Sequence, residues 1–288
     1  MEFYFSAILL GLALCSLGFG IYISLRIFSI PDITTDGSYT LGAAVTAALL
    51  LRGIPIPVIL LIIILCGAFA GIATGIIHTR MRLNALLSGI LVMTSLYSIN
   101  LQIMGRSNIP LINTKRIEGT FGFLHDNNLQ WLVVLLLFIC LIWVLLSWLL
   151  KTDFGVAMRA TGTNEVMVRS MGVNTLNMKV TGLAIANALT AVSGFLVCQF
   201  QQFSDINMGI GIVLFGLGSV MMGESLISAF KIQSIGIRLL TVVAGCIAFR
   251  LIIAVALEVG INPNWLKAIT ALIVLLVAGI PQLKRSAQ

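Results

Sequence analysis

Residues 158–174, MRATGTNEVMVRSMGVN, interrupt an otherwise oily chain with Arg159, Thr161, Thr163, Asn164, Glu165, Arg169 and Ser170 in close succession. The 288 residues are 59% hydrophobic and 9% charged, with a mean hydropathy of +1.09. A soluble domain carries about 25% charged residues to cover its exterior. This composition therefore specifies a polytopic membrane protein, and the polar stretch must face water or a wet partner.

A membrane-crossing helix needs about 20 mainly apolar residues, fewer where it is broken inside the protein. That length places spans near 4–26, 37–51, 55–77, 83–104, 129–150, 179–200, 209–223, 234–258 and 264–281. The expected fold is all-α: a single domain over 1–288 forming a helical bundle of about nine spans, with broken helices and a short cytoplasmic helix near 157–172.

Nine crossings put the two ends on opposite sides. With the 151–179 loop in the cytoplasm, eleven basic residues fall there: Arg26, Arg80, Arg82, Lys151, Arg159, Arg169, Lys179, Lys231, Arg238, Lys284 and Arg285. Arg52, Arg106, Lys115, Arg116 and Lys267 fall on the other side, and Arg250 lies within a span. Short loops rich in Lys and Arg stay inside, so the N-terminus is expected outside, the C-terminus inside, and the 105–128 loop outside. The net charge of +7 thus reflects membrane topology rather than a nucleic-acid partner. Glu258, two turns after Arg250, is the expected partner for that intramembrane cation.

The opening, MEFYFSAILLGLALCSLGFGIYISL, lacks the basic start of a secretory signal and is long enough to span, although LALC faintly echoes a lipoprotein cleavage box. It reads as a first transmembrane helix. Cys15, Cys66, Cys140, Cys198 and Cys246 each lie in apolar runs without a CxxC pair, which argues against a disulfide framework or a metal site.

Two spans are too short to cross as regular helices. PDITTDGSYTLGA precedes one, and NMGIGIVLFGLGSVMMG punctuates the other. Interrupted helices at membrane depth survive where protein or a wet cavity satisfies their backbone, so they point to a transport path, with kinked packing helices as the alternative. Gly67, Gly71 and Gly75 share a helical face, a close-packing signal. The GIG and GLG fragments follow no strand, and no GxxxxGK[ST] occurs. The chain has no P-loop of its own for ATP.

Within the polar stretch, Thr163 is the expected N-cap, Glu165 sits in the first turn, and Gly172 closes the helix. Glu165 and Arg169 form an i,i+4 pair, while Met167, Val168 and Met171 make an apolar face. Such a helix suits either the lipid surface or a groove in a partner.

The run FGVAMRATGTNEVMVRSMGVNTLNMKVTGLAIANALTAVSG resembles the cytoplasmic coupling segment of permease subunits of ABC importers in the branched-chain amino acid and ribose group. The matching positions are Gly155, Arg159, Ala160, Gly162, Asn164, Glu165, Gly172 and Asn174, and DGSYTLGA matches the approach to that family's broken second helix at Gly37, Gly42 and Ala43. Glu224 in MMGESL departs from the family's glycine-rich turn. The resemblance implies an inner-membrane subunit present as two copies, docked on two copies of an ABC ATPase and supplied by an extracytoplasmic substrate-binding protein. It also implies that ATP and Mg are bound by the ATPase, with no cofactor in this chain. Coupling would fall to Arg159, Gly162, Thr163, Asn164, Glu165, Met167, Arg169, Met171 and Gly172.

Polar residues able to line a path include Asp36, Ser38, Tyr39, Asn84, Ser88, Asn187 and Ser219, with Thr94, Ser95 and Asn100 beside them; any of them can instead bond neighbouring helices. No basic cluster lies within the spans to attract phosphate. A neutral or zwitterionic solute is expected, an aromatic or branched-chain amino acid in the first instance and a sugar or nucleoside as the alternative. An ion-coupled secondary transporter would carry carboxylates at mid-span, and no acidic residue sits clearly at a span centre. His78 and His125 border opposite sides and share no site, and neither GxSxG nor HExxH occurs, so a membrane enzyme is disfavoured.

Overall fold

The structure, a computed structural model, describes residues 2–112, 127–230, 234–262 and 265–286. Helices α1 (Glu2–Ala13) and α2 (Cys15–Ile21) continue into a π-helical turn, Tyr22–Ile27. There follow α3 (Thr34–Leu51), α4 (Ile56–Thr79), α5 (Ala85–Met104), strand β1 (Asn108–Pro110), α6 (Asn127–Leu149), α7 (Asp153–Thr163), α8 (Glu165–Ser170) and α9 (Thr175–Gln201). Strand β2 (Phe203–Asp205), α10 (Ile212–Phe230), α11 (Ile235–Glu258) and α12 (Leu266–Ser286) complete the order. Among the described residues, six helices are long and apolar enough to cross a membrane: the continuous Glu2–Ile27 and α4, α5, α6, α9 and α11. Helices α3, α10 and α12 occupy the three other places where spans were expected.

The bundle is built around its own beginning. Of the most apolar window in Glu2–Ile27, 89% is buried inside the protein, and Cys15 is fully enclosed. This stretch is a core helix of the bundle, as its length required. Its small polar groups are bonded to distant backbone: Ser16 Oγ donates to Leu189 O at 2.6 Å, and Ser193 Oγ donates to Ala13 O at 2.9 Å. In a medium without water each such group must find a partner, and these two lock α1 and α2 onto α9.

Close helix contact elsewhere depends on missing side chains. A Cβ added at Gly71 of α4 would overlap the Leu183 carbonyl of α9, and one at Gly42 of α3 would overlap the Ala191 carbonyl. Without a hydrophobic drive between helices in lipid, such backbone-to-backbone approach is what holds them together.

The fold is the expected helical bundle, with one small addition: β1 pairs antiparallel with β2, Ile109 opposite Ser204, and ties the α5–α6 connection to the α9–α10 connection. Three expectations need correction. The seventh span, expected at 209–223, begins at Ile212 and runs through Glu224 to Phe230; Glu224 is held inside the helix by a 2.6 Å ion pair with Arg26. Helix α9 starts at Thr175 rather than 179, because Asn174 caps it by accepting from Asn177 N at 3.1 Å. Arg250 makes no ion pair with Glu258. It lines a cavity of about 190 Å³ with Phe3, Ser6, Leu10, Phe200 and Leu257.

Gly42→Val and Gly71→Val are expected to cut the folded, monodisperse yield several-fold, because neither backbone can retreat without opening α9. Gly236→Ala is the control. The nearest atom to its new methyl, on Trp143, is 3.6 Å away, and helical Ala is better than Gly by about 0.5–1 kcal/mol, so size-exclusion and melting profiles should stay unchanged or improve.

Candidate functional site: a junction of two interrupted helices

Helix α3 starts inside the bundle. It runs beside α9 in the same direction, with Ser38 Oγ donating to Asn187 Oδ1 at 2.7 Å and Gly42 against Ala191. Asn187 lies near the midpoint of α9, so α3 begins at mid-depth. Helix α10 begins at the same depth, because the Asp36 carboxylate accepts from Gly211 N at 2.8 Å and from Val213 N at 2.9 Å.

The first N–H groups of a helix have no intrahelical acceptor, and at this depth they cannot use water. Two aspartates supply what is missing. Asp36 serves α10, while Asp32 accepts from Thr34 N at 2.9 Å and so serves α3. The second oxygen of Asp32 accepts from Asn187 Nδ2 at 2.7 Å, joining Asp32, Asn187 and Ser38 in one buried network. Anions at helix N-termini also match the helix dipole. The expectation that no carboxylate sits at a span centre is therefore wrong: α3 starts later in depth than a continuous span would, and brings both aspartates to the middle.

The expected path residues divide by position. Asp36 is at the junction, and Ser38 and Asn187 lie just behind it. Asn84 is the N-cap of α5, accepting from Leu86 N at 2.9 Å, and Ser88 donates to the Asn84 carbonyl. Ser219 donates to Phe215 O within α10, and Tyr39 is buried against α9 beside Gly194. Sequence reading missed Asp32, Thr40 and Tyr97. Asp32 was findable, since an Asp two residues before a Thr that opens an apolar helix is a capping signature.

Two openings flank the junction. A cleft of about 20 Å³ reaches Asp36 among Thr40, Met93, Tyr97, Asn100 and Ile210. A cavity of about 230 Å³, nearer the polar 153–170 segment, reaches Asp32 among Ile21, Pro31, Leu86, Val213 and Leu217. The bonds from Gly211 and Val213 to Asp36 lie between them. A crevice of about 370 Å³ between α4, α6 and α9 is lined only by apolar side chains and has nothing with which to orient a polar solute.

The polar segment folds as two short helices where one was expected. Thr163 is the last residue of α7 and donates to Arg159 O at 3.0 Å. The N-cap of α8 is Asn164, extended at φ −151°, accepting from Met167 N at 3.0 Å; its amide reaches the third residue on, which the Thr163 hydroxyl, facing back along α7, does not. Gly172 closes α8 as expected, at φ +85°. Glu165 gathers Arg169 at 2.7 Å, Lys179 at 2.5 Å and the Thr175 hydroxyl at 3.1 Å. The Lys179 hydrogen bond above all, with Thr175 and Arg169 adding to it, holds the Glu165 carboxyl below its ordinary range.

Around this pinned base, Val166, Met167 and Met171 stand 80%, 58% and 71% exposed. Arg159 reaches back toward Gly155 O at 3.4 Å. At Gly162 a Cβ would overlap the Ile27 carbonyl, so α7 rests directly on the π-helical turn, one short loop from Asp32. The segment is thus mechanically continuous with the start of α3.

Interrupted helices meeting at mid-depth in a polytopic bundle, with a braced polar segment at one end, define a membrane permease. The chain belongs to the family described as the permease component of the branched-chain amino acid transport system, whose model matches residues 3–279; it is a multi-pass, non-enzymatic permease subunit of an ABC importer of the inner membrane. Among its relatives, a tyrosine transport system permease protein of Clostridioides difficile is 39% identical over 92% of this chain and 86% of its own length. A galactose/methyl galactoside import permease of Haemophilus influenzae is 25% identical over 80% of this chain and 68% of its own. A ribose import permease of the same organism is 20% identical, over 71% and 64%. No solved structure matches the chain. Membership of this family implies an ATPase and a substrate-binding protein as partners and removes the secondary-transporter and membrane-enzyme alternatives.

A carboxyl held low in the folded state contributes stability above its unfolded value and loses it as pH falls through the folded one. Glu165→Gln should therefore melt earlier than wild type at neutral pH, by no more than about 1 kcal/mol for so accessible a group. The two melting curves should converge below about pH 4, the carboxylate range. A difference that persists unchanged in acid would mean that Glu165 acts by shape alone.

Proposed function

We propose that this permease carries an amino acid inward, driven by ATP hydrolysed on two separate ATPase chains that grip the α7–α8 segment of each of two permease copies. One observation carries the coupling role. Helix α8 presents Val166, Met167 and Met171 to solvent beside a Glu165 centre bonded to Arg169, Thr175 and Lys179. An apolar knob on a braced polar base fits a groove in a soluble partner, whereas three exposed apolar side chains with no such partner have no reason to be held so firmly. The N-terminus lies outside and the C-terminus in the cytoplasm, in keeping with the excess of Lys and Arg at the α7–α8 end of the bundle.

For the substrate, the likeness to a tyrosine permease over 92% of the chain favours an aromatic amino acid, and the absence of a basic cluster in the spans suits a zwitterion. A sugar is the second reading, favoured by the galactose and ribose permeases among the relatives.

Val166→Asp and Met171→Asp, each placing a charge on an exposed apolar contact, should insert and melt normally yet lose co-purification of the ATPase and at least tenfold of ATP-driven uptake. Full coupling in both variants would reject α8 as the docking element. Sidedness is tested separately by single cysteines at Ile112 and Met171 in a cysteine-free background. A membrane-impermeant maleimide should reach Ile112 only from outside and Met171 only from within.

A further inference from the structure

Asn100 of α5 is 1% exposed. Its Nδ2 donates to Gly37 O at 3.2 Å, which fixes the amide, and its Oδ1 has no hydrogen-bond partner among the described residues. A buried polar atom left unpaired costs about 1–3 kcal/mol, and each such atom in a native fold calls for an explanation. Asn100 is one of the residues that line the small cleft, together with Asp36.

The chemistry of that cleft is one-sided. Asp36 brings a negative charge, Asn100 an unfilled acceptor, and the leading N–H groups of α10 are already taken by Asp36. The Thr40 hydroxyl is committed to the Asp36 carbonyl at 3.1 Å. No lysine or arginine lines the cleft among the described residues. An anion has nothing to bind there, whereas a donor with several hydrogens and a positive charge meets two acceptors.

The volume narrows the ligand further. About 20 Å³ exceeds the roughly 10–15 Å³ that one water requires but does not hold an amino acid. Only a head group enters, and the remainder of the solute must lie across the cleft mouth, where Tyr97, which is 46% exposed, offers an aromatic ring.

We propose that Asp36 and Asn100 form a transit subsite for the ammonium group of the substrate, with Tyr97 against its side chain. This rests on the amino-acid reading above and adds the atoms that recognise it. An ammonium bound there competes for the carboxylate that holds Gly211 and Val213 of α10, so substrate passage and release of the α3–α10 contact become one event.

The test uses the assembled transporter, with its ATPase and binding protein, in proteoliposomes. Labelled tyrosine, phenylalanine, leucine, galactose and ribose are the probes. Asn100→Leu removes the orphaned acceptor, and its uptake of the transported amino acid should fall at least tenfold while the melting temperature holds or rises and the loaded binding protein still stimulates ATP hydrolysis. Asn100→Asp keeps an acceptor but loses the donor to Gly37, so it should retain uptake within about threefold; a structural role for the amide predicts the reverse order. If Asn100→Leu does not fold, Asn100→Ala removes the same acceptor with less bulk. Amino-acid uptake at parity in the Leu or Ala variant overturns the subsite alone. Wild-type uptake of a sugar and of no amino acid overturns both the subsite and the substrate reading.

Discussion

A backbone that stops being helical in the middle of a membrane must have its freed polar groups answered by protein, and that constraint organises this molecule. Helices α3 and α10 both begin at mid-depth, and each is started by an aspartate: Asp32 through Thr34 N, Asp36 through Gly211 N and Val213 N. The aspartates come from one short segment, four residues apart. One piece of chain therefore sets where both interrupted helices start and how they face each other. The Ser38–Asn187–Asp32 network then fixes that segment to α9, the long helix against which α2, α3 and α4 all pack.

The polar segment at the end of the bundle is joined to the same place. Helix α7 rests on the Ile27 carbonyl through Gly162, and the chain passes from Ile27 to Asp32 within five residues. Arg26, on the same π-helical turn, holds Glu224 near the far end of α10. A displacement of α7 is thus felt at both ends of the turn: at the start of α3 through the loop and along α10 through the ion pair. Structural continuity of this kind lets work done on α8 by a partner reach the mid-membrane junction without any long flexible link.

Much of the bundle was legible in the sequence because lipid enforces simple rules. Apolar length located the helices, and the Gly67, Gly71, Gly75 stripe announced a close helix contact, which the structure makes with α9. PDITTDGSYTLGA and NMGIGIVLFGLG marked the two interrupted helices correctly. The failures share a cause: each depended on how one short segment lies against another. Glu224 looked like a turn residue because its Arg26 partner is 198 positions away in sequence. Thr163 and Asn164 are both good caps, and only the backbone break between α7 and α8 chooses Asn164. Arg250 and Glu258 stand on one helical face, but eight residues put about 12 Å of helix between them, and the arginine lines the cavity beside Phe3 and Phe200 instead. Asp36 was recognised as polar and well placed. That it bonds a loop 175 residues later is a fact of tertiary structure.

The enclosure of the first helix also has a consequence for how the protein is made. The Glu2–Ile27 stretch ends in the centre of the bundle, and its fixed partners are made long after it: Leu189 comes 173 residues after Ser16, and Ser193 comes 180 residues after Ala13. Until α9 arrives, α1 and α2 must dwell in lipid with the Ser16 hydroxyl and the close-packing faces of Gly18 and Gly20 uncovered. Their high apolar content makes that waiting state tolerable to the bilayer. Assembly is consequently a late event that closes around an early helix, and a chain cut short before Thr175 would keep its central helix in the membrane without the α9 that locks onto it.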